Sequence, residues 1–181
     1  MTLKLILYAC PGGTLGQQLE HYFSEARRAG HHNTAHDYMP HCSLTGFFHD
    51  TPASIPVYQQ AVTSALETIR PHPDAIRISE RLGNREFHGL TLDSPWLLRF
   101  TEVFAHLAES PTRVDALRRK TWLHLSLAYE FPVAEHEALL QLATRWVQVE
   151  APASWSIRFY QRNADNTWIC HGHWPLPESP R

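Results

Sequence analysis

The chain has 181 residues, 43% hydrophobic and 19% charged, a balance that supports a folded domain with a sizeable core and excludes a disordered one. Sixteen Lys and Arg stand against eighteen Asp and Glu, and a net charge of −2 speaks against a protein that grips duplex DNA along its backbone. The longest apolar stretch, residues 5–10, is too short to span a bilayer and no secretory signal pattern is present, so a cytoplasmic protein without a membrane partner is expected.

Residues 3–10 form an apolar run closed by Pro11-Gly12-Gly13 and predict a buried strand ending in a turn. Thr14 is placed to cap a helix whose inner face carries Leu15, Leu19, Tyr22, Phe23 and Ala26. A polar loop over 30–38 leads to a second strand at 40–48. Tyr58, Val62, Ala65, Leu66 and Ile69 then mark a helix ended by Arg70-Pro71, and the alternation over 75–82 marks a strand. Strand 86–93, a helix carrying Trp96 to Leu107, strand 123–131 and a helix carrying Leu139 to Trp146 follow in the same order. Strands at 155–160 and 167–174 close the chain as a hairpin around residues 163–166.

The order strand, helix, strand, helix, strand thus occurs twice, over about 1–84 and 85–174. No low-complexity linker divides the halves, so residues 1–181 are expected to form a single bilobal α+β domain. Its two lobes would be related by a pseudo-twofold axis, each an antiparallel or mixed sheet flanked by helices, with a cleft between.

The second strand of each half carries one pattern, His41-Cys42-Ser43-Leu44 and His124-Leu125-Ser126-Leu127, 83 residues apart (41 to 124). Strand alternation puts each His and Ser on one face and the apolar pair on the other. A single H-x-S is trivial, whereas two copies at the repeat offset are hard to dismiss. Two imidazoles flanking one cleft suit in-line displacement at phosphorus. One takes the proton of an attacking water, the other protonates the leaving oxygen, and the two hydroxyls donate to the non-bridging oxygens. No metal or cofactor is needed for that chemistry.

These paired motifs resemble those of the two-histidine (2H) phosphoesterase superfamily. Within it, residues 7–11, Ala35-His36, Pro40-His41, Phe47-Phe48 and Lys120 through Phe131 resemble the phosphoesterase domain of the ubiquitin-associated and SH3-domain-containing (TULA/Sts) proteins. The resemblance implies a 2H phosphoesterase fold and hydrolysis of 2′,3′-cyclic phosphates on nucleotides or RNA 3′ ends, with His41 and His124 as catalytic acid and base. Ser43 and Ser126 stand where the family often has Thr. Nothing reads as a ubiquitin-associated helix trio, an SH3 barrel or a histidine phosphatase domain. A 2′,5′- or 3′-end RNA phosphodiesterase on the same histidines, or a module that binds cyclic-phosphate ends without turnover, are the alternatives.

A nucleotide base needs an aromatic partner. Alternation puts Trp122 with His124 and Phe47 with His41, and the family resemblance suggests Tyr8, although each could be core. Thr45 is a possible third hydroxyl, and Arg118-Arg119-Lys120 is a basic run that could attract phosphate or be a solvated loop. His31, His32, His36, His171 and His173 tempt a zinc assignment, but no Cys or carboxylate completes a ligand set by spacing, and a monomer without metal is expected. Three cysteines without a C-x-x-C pair suggest a reducing compartment.

Overall fold

A computed structural model describes residues 2–178 of the chain. Its strands are β1 (Leu3–Gly12), β2 (Cys42–Ser43), β3 (Phe48–Asp50), β4 (Arg77–Gly83), β5 (Phe87–Asp93), β6 (His124–Tyr129), β7 (Ala153–Arg162) and β8 (Trp168–Pro175). Among the described residues four α-helices accompany them: α1 (Gly13–Arg28), α2 (Ile55–Thr68), α3 (Pro95–Leu107) and α4 (His136–Trp146). The fold is α+β, as expected, with every strand pairing antiparallel.

Where two sheets were expected, one per lobe, the strands form one sheet in the order β4-β5-β6-β2-β1-β7-β8, with β3 beside β1. Two features of the chain produce this. First, β2 and β6, the strands bearing the repeated motif, pair at Cys42 and Leu125 and so join the halves along the pseudo-symmetry line. Second, each half gives its third main strand to the other: β4 pairs with β5, and β7 pairs with β1. The first exchange is dictated locally. Only residues 84–86 separate β4 from β5, and the Asn84 side chain accepts the backbone N–H groups of Glu86 (2.9 Å) and Phe87 (2.8 Å), closing a tight turn that forces a hairpin across the repeat boundary.

β1 lies inside the sheet and is buried on both faces. Leu3, Leu5, Leu7 and Ala9 face the main core with the inward residues of all four helices, among them Leu15, Tyr22, Val62, Phe100 and Ala143. Ile6, Tyr8 and Cys10 face the other way, into a smaller cluster with Tyr160, flanked by Met39, Phe47 and Trp168. The helices therefore bank against one face of the sheet, and the opposite face is left to a cavity.

Two local expectations are corrected. Thr14 does not cap α1, which begins one residue earlier with Gly12 as its N-cap; the Pro152 carbonyl of a distant loop accepts the Leu15 N–H (3.1 Å) instead. The strand expected over 40–48 is broken into β2 and β3, because the Thr45 hydroxyl accepts the Leu7 N–H (3.1 Å) in place of a ladder carbonyl. No helix among the described residues is long and apolar enough to cross a membrane.

Candidate active site

β2 and β6 sit side by side at the middle of the sheet, and alternation sorts their side chains. Cys42, Leu44, Leu125 and Leu127 are fully buried in the main core. His41, Ser43, His124 and Ser126 stand half-buried on the opposite face, where they line one cavity of about 470 Å³. Tyr8, Phe47 and Trp122 line it too, so the motif residues and the three candidate aromatics converge there. Such a volume falls in the range of small-molecule sites.

Each imidazole has its own aromatic wall. Tyr8 lies on the His41 ring at 3.9 Å between centroids and 32° between planes; Trp122 lies on His124 at 4.0 Å and 32°. Tyr38 adds a second ring to His41 at 5.5 Å, and Phe87 meets His124 edge-on at 5.3 Å. Phe87 can fold back over its own strand because residue 89 is glycine: a Cβ there would meet the Phe87 ring at 2.4 Å and the Leu125 carbonyl at 2.7 Å.

The second nitrogens differ. His41 Nδ1 donates to the Met39 carbonyl at 2.7 Å, which fixes the neutral ring with Nδ1 protonated and leaves Nε2 as the lone-pair nitrogen. His124 Nδ1 faces the equivalent carbonyl, that of Trp122, but is buried without a hydrogen bond of good geometry. Burial behind aromatic rings disfavours the charged form of both imidazoles. His41 is lowered to about 4, mainly by burial, with the nearby His124 charge adding to the effect. His124 is lowered as well, first by burial and then by the Lys120 ammonium.

The three aromatics expected to meet a base are placed unequally. Trp122 is 51% exposed at the cavity mouth. Phe47 is half-buried, with Lys4 over its ring at 4.3 Å and Trp168 stacked at 6.3 Å. Tyr8 is only 1% exposed and its ring is occupied by His41, Tyr160 and Trp168. Thr45 borders the cavity, but its oxygen is engaged by Leu7 and the residue is buried.

Lys120 and Arg118 line the cavity while Arg119, between them, turns away to Glu102 on α3 at 3.8 Å. No carboxylate is among the lining residues. Tyr38, Met39, Phe87 and Tyr129 were not singled out from the sequence. Tyr38 and Met39 lie in a loop without periodicity. Tyr129 reaches the cavity through a bulge: Gly89 pairs with Ser126 and His88 with Ala128, so Leu127 is an extra residue and the alternation slips by one.

The histidines considered for zinc scatter. His31 pairs with Glu135 (3.0 Å), His32 with Asp37 (3.1 Å), and His36 is buried against Tyr22 and Phe23 beside Asn33. His171, on β8, contacts the Gln161 side chain (3.0 Å). Among the described residues no group of three His, Cys, Asp or Glu side chains is placed to hold a metal ion.

No protein-family model matches the chain. The chain is 26% identical over 163 residues to an ecdysteroid-phosphate phosphatase of Bombyx mori, and 27% identical over 163 residues to ubiquitin-associated and SH3 domain-containing protein B of Homo sapiens. Each match takes in 88% of this chain but only 24% and 25% of the relative, so the chain spans about a quarter of the curated relatives' length. Among solved structures, E. coli LigT complexed with ATP superposes with a TM-score of 0.56, covering 98% of this chain and 100% of LigT at 13% identity. LigT complexed with NADP+ gives 0.50 at 14% identity, covering 97% of this chain and 99% of LigT.

Proposed function

From a chain that is similar in sequence to the ubiquitin-associated and SH3 domain-containing proteins and has the fold of LigT, we propose a phosphodiesterase of the two-histidine type that opens 2′,3′-cyclic phosphates on nucleotides or RNA ends. The observation that carries the reading is the convergence of both H-x-S motifs on one cavity that contains two cations and no carboxylate. LigT's complexes with ATP and NADP+ support a nucleotide-type ligand.

The environments of the two imidazoles support a division of roles. His41 is the more clearly poised base: its proton is held on Nδ1 by the Met39 carbonyl, leaving the Nε2 lone pair to take a proton from water. The water oxygen attacks phosphorus, and the bond from phosphorus to the ribose 2′ or 3′ oxygen breaks. His124 donates its proton to that leaving oxygen. Its lowered pKa favours the neutral form in the free enzyme, and a bound phosphate anion raises it, as an opposite charge within a few ångströms does. Ser43 and Ser126 donate to the non-bridging oxygens, where charge accumulates in the transition state. One proton leaves His124 and one arrives on His41, and exchange with solvent resets the pair.

The testing experiment is turnover of the four nucleoside 2′,3′-cyclic monophosphates with and without EDTA, with 2′- and 3′-monophosphates separated. Hydrolysis undiminished by the chelator is expected. Activity confined to 2′,5′-linked or 3′-terminal RNA would keep the histidines and move the substrate, and inactivity on all of these would leave a binding module.

A further inference from the structure

Resting on that reading, we propose that Arg118 forms a seat for a second phosphate, distinct from the one between the histidines, so that the preferred substrate carries a phosphate beyond its reacting end.

The seat is built by backbone and not by a flexible loop alone. The segment around residue 119 runs antiparallel to the chain just beyond β2. Gly46 N–H donates to the Arg118 carbonyl (2.8 Å), Lys120 N–H donates to the Leu44 carbonyl (2.9 Å), and Thr45 pairs with Arg119. The approach to this stretch is tied down as well: Val114 N–H donates to the His49 carbonyl (2.9 Å) and the Thr112 hydroxyl to Asp50 (2.6 Å). The guanidinium of Arg118 lies against Gly46. A Cβ at residue 46 would stand 3.3 to 3.5 Å from its nitrogens and central carbon, so the missing side chain makes the shelf that positions the cation.

Position separates this cation from the reacting phosphate. Gly46, against which the guanidinium lies, is three residues past Ser43, beyond the end of β2. Lys120 is close enough to His124 to depress its protonation, whereas the Arg118 guanidinium is held over Gly46 at the far side of the cavity wall formed by that segment. The inner cation therefore belongs to the reacting phosphate and the outer one is spare. Among the described residues Arg118 makes no ion pair. Asp115, an acid that feels its charge, is committed to His49 through the ring (2.6 Å) and the backbone N–H (2.8 Å). A planar fork of donors, free of a carboxylate and facing a cavity, fits the paired oxygens of a phosphate.

Binding tests the seat independently of turnover. The affinities of adenosine 2′- and 3′-monophosphates are compared by calorimetry with those of the matching bisphosphates bearing an added 5′-phosphate, for the wild type, Arg118→Gln, Arg118→Lys and Gly46→Ala. The wild type should favour a bisphosphate at least tenfold over its monophosphate. Arg118→Gln should collapse that ratio to near one, Arg118→Lys should retain part of it, and Gly46→Ala should lower it by displacing the guanidinium. A wild-type ratio near one overturns the proposal. So does an Arg118→Gln variant that keeps the ratio, or that weakens both ligands equally, since the cation would then serve the reacting phosphate or the fold. If the cyclic substrates are not turned over, the assigned reaction fails while this ratio still decides the seat.

Discussion

The two halves of the cavity are built to one plan and then diverge. Each presents a histidine and a serine from a central strand, an aromatic ring about 4 Å from the imidazole at the same 32° tilt, and the carbonyl two residues earlier behind Nδ1. In the His41 half the carbonyl bond is made and the ring beneath is buried; in the His124 half the nitrogen faces its carbonyl without a well-formed bond, the aromatic wall is 51% exposed, and the Lys120 ammonium stands nearby. The shared plan supplies two proton-transfer groups. On the proposed reading, the departures give them different work: a fixed, neutral base on one side, and on the other an acid whose charge depends on the anion it meets.

Removing either imidazole is the largest perturbation of that scheme. His41→Ala and His124→Ala should each lower kcat by roughly 10²–10⁴, the contribution of a general acid or base. Both residues project from the sheet into the cavity, away from the main core, so circular dichroism and the thermal transition should stay close to wild type. The double variant should be little worse than either single one, because the two groups act as a unit. Near-wild-type turnover in either single variant would break the assignment of paired roles.

That much could be read from the chain before any coordinates. Two copies of H-x-S at the offset of the repeat are a local signal, and alternation in a strand is enough to aim the side chains. What escaped depends on pairing across long separations. The repeat fixes the order of strands but not their partners, so the exchange of β4 and β7 between halves, and the single sheet it produces, were not legible. Tyr129 was hidden by the bulge at Leu127, and Arg118 could be recognised as basic but not as seated on Gly46, because that contact rests on a strand-like pairing between residues far apart in the chain. Tyr8 lines the cavity, yet its burial under His41 has no signature in the sequence.

The unequal aromatics offer the next perturbation. Stacking on a base contributes about 1–3 kcal/mol, and Trp122 has the exposure to provide it while Tyr8 does not. Trp122→Ala should therefore raise KM by roughly 5- to 150-fold with a smaller change in kcat. Tyr8→Phe keeps the ring on His41 and should leave KM within about twofold. If Trp122→Ala instead lowered kcat alone, the indole would be a wall for His124 and no more.

The pH dependence tests the two environments together. For kcat/KM, which reports the free enzyme, the acid limb should reflect protonation of His41 near its lowered value of about 4, and the alkaline limb should reflect loss of the His124 proton below the ordinary histidine value of 6.5. The bell should thus peak on the acid side of neutrality, and its alkaline limb should move upward in kcat, where bound phosphate holds the His124 proton. The buried neutral histidines also carry a stability consequence. His41 and His36 both titrate near 4 in the folded chain and near 6.5 when unfolded. Above pH 6.5 neither costs anything. As the pH falls from 6.5 toward 4 the unfolded chain takes up protons that the folded one refuses, so stability declines by up to about 3 kcal/mol per group. Urea unfolding at pH 7 and pH 5 should show that decline; equal midpoints would mean that both rings are better solvated than their aromatic surroundings imply.

The smallest expected effect isolates the wall from the histidine it covers. Burial is the largest cause of the lowered His124 pKa, and the exposed indole of Trp122 is the ring nearest to it at 4.0 Å. Replacing that indole by alanine admits water to one face of the imidazole, which favours the charged form, so the pKa of His124 should rise toward 6.5. His41, walled by Tyr8 and Tyr38 in the other half, should not move by a comparable amount. Titration of the two imidazole C2 protons by NMR in the wild type and Trp122→Ala reads both at once. A rise at His124 alone means that each half sets its own proton affinity through its own aromatic cover. Equal shifts at both rings would mean that the imidazoles titrate as one coupled pair, and the division into a fixed base and a ligand-charged acid would have to be given up.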